Sequence, residues 1–425
     1  MGLKVAFSVY RGNPRSGGQG VYTHYLTKAL RDLGHEVTVF SGQPYPELAE
    51  DIALVKLPSL DMYRAADPFR WPKLREMESA ADIAEVLIRL FGGFPEPRTF
   101  SARLKKEIKA QLDPFDVLHD NQSIGNGIAA VAKTGLPIVA SVHHPIDVDR
   151  KIDLLLSPSL KDKFSKYRWY GFAGMQSSVA RQLERIITVS EHAKFDITKY
   201  MGVRQSNIAV IHPGVDTKVF YPGDEALKKR GQIIAVTSAD THMKGLAVLV
   251  EAMGFVVKEN PGAKLVVIGR LSPDGKSHKI LEQRDLLNDC ISFVHGISDI
   301  ELANLYRESE VAAIPSLYEG FSLPAIQALA SGLPVAATTG GALPEVLGEN
   351  GQCALLVEPG DPMALADAIL ILLENRELRS KLSATGSRRV ADNFTWLKTA
   401  EKVVAEYRYA IDKFNYRKSQ VHADR

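Results

Sequence analysis

Lys4-Val-Ala-Phe-Ser-Val-Tyr10, then Arg11-Gly-Asn-Pro-Arg-Ser-Gly-Gly-Gln-Gly20, then Val21 to Leu33, then Glu36-Val-Thr-Val-Phe40 follow one another at the start of the chain. The first run is rich in β-formers and reads as a buried strand. The second is Gly/Pro/Ser-rich and must be a loop. In the third, Val21, Tyr25, Leu26, Ala29, Leu30 and Leu33 recur at helical spacing, and Gly34 suits the position just past a helix end. The fourth is a second strand. Strand, glycine loop, helix, strand is a βαβ unit, and such units build parallel sheets. The pattern restarts at Gln232-Ile-Ile-Ala-Val-Thr237, with a helical period over Leu246 to Glu259, a turn at Asn260-Pro-Gly262 and a strand at Lys264-Leu-Val-Val-Ile-Gly269. Two parallel-sheet domains in tandem are therefore expected. The junction falls in the Pro/Gly-punctuated stretch His212 to Gly223.

Composition removes other classes. The chain has 425 residues, of which 45% are hydrophobic and 24% charged, an ordinary globular balance that rules out disorder, collagen and a disulfide scaffold. Its 52 basic and 50 acidic residues leave a net charge of +2, too even for a dedicated nucleic-acid binder. Cys290 and Cys353 are far apart and form no zinc pattern, which suggests a reducing compartment. No apolar run approaches the ~18 residues of a membrane span. The N-terminus runs straight into a strand pattern, so no signal peptide is expected. These readings point to a cytoplasmic, multi-domain α/β protein.

Ligands of open parallel sheets bind outside the carboxyl ends of the strands, so candidate residues are those that follow strands. Gly17 and Gly18 lie between the first strand and the first helix, where small residues let the backbone approach a ligand and helix amides favour an anion. No acidic residue ends the second strand, which argues against a nicotinamide cofactor. His143 and His144 follow the strand Pro137 to Val142, and His119-Asp120-Asn121 closes another polar strand end. Histidine there can bond a substrate hydroxyl or act as acid or base. The spacing of these groups matches no zinc site. Lys244, in the loop after the strand at 232–237, can neutralise a phosphate as a point charge. The most informative stretch is Glu319-Gly-Phe-Ser-Leu-Pro324. Pro324 suits the first position of a helix and Gly332 its end, so Glu319 to Leu323 sits at a helix N-terminus with free amides, suited to a phosphate. A carboxylate beside a phosphate pocket would be repelled by it. The natural partner of Glu319 is then a hydroxyl-bearing group next door, such as a sugar.

Taken in order, Gly17-Gly18, His143, Lys244-Gly245, Glu319-Gly-Phe-Ser-Leu-Pro, Gly332-Leu-Pro-Val and Gly340-Gly-Ala-Leu-Pro-Glu345 resemble family 4 of the retaining, nucleotide-sugar-dependent glycosyltransferases. The resemblance covers nearly the whole chain. It implies the α/β GT-B fold: two facing Rossmann-like domains, at 1–212 for the acceptor and 213–395 for the nucleotide sugar, with a helix and tail at 396–425 crossing back to the first. It implies hexosyl transfer from a nucleotide-diphosphate sugar, a UDP-sugar in preference to a GDP-sugar, to a hydroxyl acceptor that is a sugar, a metabolite or a lipid-linked glycan. Glu319, Lys244 and His143 would be catalytic. Gly17, Gly18, Ser238, Arg270, Gly320, Phe321, Ser322, Leu323 and Gln327 would line the donor, and Asn121 and His144 the acceptor side. No cofactor and no obligatory metal are expected, because lysine and helix dipoles carry the leaving charge.

The chain departs from the family pattern twice. Gln327 stands where a second glutamate usually holds the ribose, and Ser238 stands where many members have an arginine six positions before the lysine. Arg270 could replace that cation. Alternatives are a nucleotide-sugar epimerase on the same fold and a catalytically weak or inactive regulatory relative. Aromatic and basic residues also mix in a long insert at 58–110 and again at Lys161 to Tyr170, a composition that fits either a solvated helix face or a surface for anionic lipid headgroups at the inner face of the membrane.

Overall fold

The computed structural model describes residues 2–13, 18–64, 67, 70–111, 114–237, 241–272, 275–283 and 289–423. Its strands are short, β-branched and buried on both faces, the pattern of parallel sheets covered by helices. In the N-terminal half they are β1 (Lys4–Val9), β2 (Glu36–Ser41), β3 (Ala53–Lys56), β4 (Val117–Asn121), β5 (Ile138–Val142), β6 (Arg185–Thr188) and β7 (Ile208–Val210). Among the described residues they form one parallel sheet of order β3-β2-β1-β4-β5-β6-β7. The order reverses beside β1, so the carboxyl ends of β1 and β4 flank a topological switch point, the place where such sheets hold ligands. Register sets Val9 opposite Asn121, so β1 and β4 end side by side.

In the C-terminal half, β8 (Gln232–Val236), β9 (Lys264–Ile268), β10 (Ile291–Val294), β11 (Val311–Ile314), β12 (Val335–Thr338) and β13 (Ala354–Val357) form a second parallel sheet, of order β10-β9-β8-β11-β12-β13. Here β8 and β11 are the neighbours at the reversal. The loops carrying Lys244 and Glu319 leave those two strands.

The chain divides into two compact units, Met1–Ile211 joined by the stretch from Thr399 onward, and His212–Lys398. The last helix, Trp396–Ala423, thus belongs to the first unit from Thr399 on. Its Tyr407 is fully buried and its hydroxyl lies 2.6 Å from Nδ1 of His119 in β4, while Glu406 pairs with Arg185 of β6. Each unit has its own apolar core. One is built around Leu104, Leu118, Ile128, Ala140 and Ile186, the other around Leu249, Met253, Leu265, Val267 and Ile369.

The stretch between β3 and β4 carries the helices Ala80–Leu90 and Glu96–Ala110. Of its basic residues, Arg103 is engaged internally, whereas Lys106 and Lys109 are exposed. Arg103 is mostly buried and bonded to Asp82 and Glu85 at 2.5 Å each, and Arg11 holds Glu96 at 3.0 Å. Their charges serve the inside of the unit, because a buried carboxylate needs a hydrogen-bonded cation. Burial still pushes the Glu96 carboxyl up to about 7, and Arg11 offsets part of that rise.

Candidate active site

In the second unit, the chain leaves β8 and forms a short 3-10 turn, His242–Lys244, closed by Gly245 with φ +65°. Only glycine fits there: a Cβ would run into the carbonyl of Pro315. The N–H of Leu317 donates to the Met243 carbonyl at 2.8 Å, so the loops after β8 and β11 are tied together. That tie places Lys244 Nζ 2.8 Å from Oε1 of Glu319. The hydroxyl of Ser316 donates to the same oxygen at 2.8 Å. Oε1 is thereby saturated, while Oε2 has no partner among the described residues. A third loop supports the backbone. The N–H of Ala342 donates to the Glu319 carbonyl at 2.9 Å, and Gly341, at φ +64°, comes so close that any Cβ would strike Glu319.

The residues after Glu319 form a receptor for an electron-rich group. Ser322 holds φ +87°, a strained value for a residue with a side chain, and its buried hydroxyl has no partner among the described residues. The amides of Phe321, Ser322 and Leu323 also lack acceptors there. Leu323–Ala330 is a helix with Pro324 in its first turn, so these amides sit at the positive end of its dipole. The Phe321 ring is buried 5.7 Å from both His212 and Phe394, and His212 Nε2 lies 2.7 Å from Oε1 of Glu345. Gln327 lies in the second turn of the helix Leu323–Ala330; its side chain is half-buried and without a partner among the described residues. Arg270 is exposed at the end of β9, and no ion pair engages it among the described residues. Gly320 lies in the same loop as Glu319. Ser238 and Gly17 fall outside the described residues.

In the first unit, Gly18 opens the helix Gly18–Asp32, and a Cβ there would meet nothing within 4 Å. The fold therefore does not require its small size, unlike that of Gly20, whose Cβ would strike the carbonyl of Asn13. His143, just past β5, has its ring against the edge of Tyr22 at 4.5 Å, and Nε2 lies 2.6 Å from Oδ1 of Asn121. The amide nitrogen of Asn121 donates to the Gln19 carbonyl at 3.2 Å and to the Thr23 hydroxyl at 3.0 Å. Those two bonds set the amide orientation, so Oδ1 must face the histidine and Nε2 must carry the proton. Burial pulls the His143 pKa down to about 4, so the ring is neutral near pH 7 and its Nδ1 offers a lone pair.

This geometry corrects one expectation. Asn121 is fully buried with both amide atoms committed, so it holds His143 and the start of the first helix rather than reaching an acceptor. His144 lies 3.0 Å from Asp149 at the start of the helix Ile146–Leu156. His119 and Asp120 are likewise internal. Nε2 of His119 lies 2.8 Å from the Ser141 hydroxyl, and Asp120 accepts from Ser8, Ser123 and the Ile124 amide. Sequence reasoning missed Ser316, Tyr22 and the His212–Glu345 pair. Only the quoted motifs around them hinted at their place, because their partners are distant in the chain. Among the described residues no group of three or more His, Cys, Asp or Glu could hold a metal ion, and no helix is long and apolar enough to cross a membrane.

Known proteins resemble this chain in sequence and fold. The family described as Glycosyltransferase Family 4 matches residues 16–219, and that described as Glycosyl transferases group 1 matches residues 220–389. The MMP alpha-(1->4)-mannosyltransferase of Mycolicibacterium hassiacum is 43% identical over 96% of this chain and 98% of its own. A D-inositol 3-phosphate glycosyltransferase of Kribbella flavida is 25% identical over 94% of this chain and 92% of its own. Among solved structures, a sucrose-phosphate synthase from Thermosynechococcus elongatus superposes with a TM-score of 0.74 at 21% identity, over 97% of this chain and 100% of that one. Anabaena HepE in complex with UDP and glucose gives 0.69 at 15% identity, over 95% and 99%. The chain belongs to the family 4 glycosyltransferases. It has the GT-B fold of two Rossmann-like domains and is a glycosyl-transferring enzyme.

Proposed function

We propose that this enzyme moves a mannosyl unit, with retention of anomeric configuration, from a nucleoside-diphosphate sugar to a hydroxyl of a sugar acceptor. The observation that carries the reading is the half-saturated carboxylate of Glu319. Lys244 and Ser316 occupy one oxygen, and the other is open beside unpaired amides at a helix start. An open carboxylate oxygen accepts from a sugar hydroxyl; the amides and Lys244 take the diphosphate. As the glycosidic bond breaks, charge grows on the leaving phosphate, and a directed cation and fixed dipoles stabilise it without reorganisation. The leaving phosphate oxygen then takes the acceptor's proton on the same face. His143, neutral and held by Asn121, accepts from a donor hydroxyl at Nδ1. Gln327 meets the ribose, and Arg270 supplies the cation that Ser238 does not. No metal is required for these steps.

The mannosyl assignment rests on the relative from Mycolicibacterium hassiacum. The sequence favours a UDP-sugar, but a mannosyl unit is ordinarily activated as GDP-mannose, and we take GDP-mannose as the donor. The test is transfer to mannose oligosaccharides from GDP-mannose or UDP-glucose, with and without EDTA, with the product anomer read by NMR. An α-linked product from GDP-mannose, insensitive to EDTA, is expected. An isomerised nucleotide sugar would mark an epimerase, and binding without turnover an inactive relative.

A second reading concerns place. The helix Leu160–Trp169 exposes Leu160, Phe164 and Tyr167 at 85, 61 and 63%, with Lys161, Lys163 and Arg168 on the same helix. Phe91 is 73% exposed, and the adjoining Gly92 lies against the Arg168 guanidinium. An apolar stripe among cations suits an anionic lipid surface, and we infer a cytoplasmic enzyme that docks there peripherally. Co-sedimentation with phosphatidylglycerol vesicles but not phosphatidylcholine vesicles, lost in Phe164→Ser, is the expected result.

A further inference from the structure

The second unit has a polar cleft away from the donor loops. It has a volume of about 340 Å³ and is lined by Lys228, Ser331, Arg379, Ser380, Ser383 and Ser387 among others. Its position follows from topology. Lys228 precedes β8 and Ser331 precedes β12, whereas Lys244 and Glu319 follow β8 and β11. In a parallel sheet, residues before strands and residues after them lie at opposite edges, so this cleft is distinct from the donor site.

Two observations show an unmet requirement there. Lys228 is half-buried, its ammonium donates to the Ser309 carbonyl at 3.2 Å, and no carboxylate forms an ion pair with it among the described residues. Desolvation lowers its pKa, Arg379 adds to that, and the carboxylates of Glu225 and Glu310 offset only part of it. Ser331 is 2% exposed and its hydroxyl has no partner among the described residues. A buried hydroxyl costs stability unless a partner is supplied, and a half-buried ammonium with one carbonyl partner has donors left for an anion.

The remaining lining says what the partner is. Arg379 adds a second cation, though Glu310 at 3.0 Å and the carbonyls of Leu372 and Leu373 take much of its donor capacity. Glu225 lines the cleft as well, but it is exposed. Ser383 donates to the Gly332 carbonyl and Ser387 to the Leu329 carbonyl at 3.0 Å, which leaves their oxygen lone pairs as acceptors for hydroxyl donors. The cleft lining thus combines cations with hydroxyls. The volume is that of a small-metabolite site. We propose that this cleft binds a phosphorylated sugar, with the phosphate on Lys228 and Arg379 and the sugar hydroxyls on Ser331, Ser383 and Ser387.

The helix Leu323–Ala330 joins this cleft to the donor loop, since Ser331 is at its carboxyl end and Ser322 at its amino end. Occupancy is therefore readable without turnover. Isothermal titration of the full chain would compare mannose 6-phosphate, inorganic phosphate and mannose. The sugar phosphate should bind at least about tenfold more tightly than phosphate, and mannose not measurably. Lys228→Gln and Ser331→Ala should each weaken it about tenfold or more, and Lys244→Ala, in the donor site, should not. Equal affinity for phosphate and the sugar phosphate overturns the proposal. So does binding lost in Lys244→Ala but retained in Lys228→Gln, or no binding up to about 10 mM ligand. A melting temperature for each variant separates a lost site from a lost fold.

Discussion

Lys244 and Glu319 hold each other through one carboxylate oxygen. On the proposed reading, a donor diphosphate would draw the ammonium toward itself and leave Glu319 to the sugar. Lys244→Ala should therefore lose rate mainly in the chemical step, by about 3 kcal/mol or a hundredfold in kcat, with a smaller change in donor KM. A kcat within about threefold of wild type would remove the assigned role. Gln327 lacks a partner among the described residues, and the proposed reading gives it the ribose. Gln327→Glu should keep or tighten donor affinity by up to roughly 1–2 kcal/mol, and Gln327→Ala should weaken affinity while sparing kcat. If Gln327→Glu is inactive in the same assay, the site is built around an amide and the ribose assignment falls.

At the scale of elements, three loops fix Glu319, and glycines let them meet. Gly341→Ala would add a Cβ against the Glu319 backbone at φ +64°. Strain of about 1–3 kcal/mol is expected, together with a displaced carboxylate. Both the melting temperature and kcat should fall. Gly18→Ala makes the opposite case. Its Cβ would enter open space, so the melting temperature should hold, and kcat/KM should drop only if a ligand occupies that space. Measuring both quantities for both variants separates a glycine needed by the fold from one needed by the substrate.

At the scale of the whole molecule, the final helix returns to the sheet that the chain began to build with β1 at Lys4. Tyr407→Phe would leave the buried His119 nitrogen unpaired and should cost about 1–3 kcal/mol in urea unfolding. Acid stability follows from the same interior. Burial holds the His119 pKa near 3 and that of His143 near 4. Below the ordinary histidine value of about 6.5 the unfolded chain binds protons that the fold does not, so stability falls as pH falls toward 4. Glu96 acts oppositely. With its pKa raised from 4.5 to about 7, the folded state holds the extra proton in that window, so its contribution is full below 4.5 and is lost as pH rises through 7. Glu96→Gln should therefore steepen the loss of stability on acidification from pH 7 to 5, read from urea midpoints at the two pH values. An unchanged slope would show that Glu96 is not the opposing group.

Local chemistry determined much of this protein. The β-rich runs, the helical period after Gly18 and after Gly245, Pro324 at a helix start and Gly245 in a tight turn are consequences of neighbouring residues, and the βαβ units follow from them. That Lys244, Glu319 and the amides after Phe321 stand at strand ends is also local, so the candidate donor loops were legible in the chain. Their pairing was not. Lys244 meets Glu319 across 75 positions because β8 lies beside β11. Asn121 was expected near an acceptor and stands behind His143, because β4 lies between β1 and β5. His119 meets Tyr407 across 288 positions. Strand order and the return of the last helix are settled by which faces bury which residues. That choice is made by the whole interior at once, and no local stretch of sequence contains it.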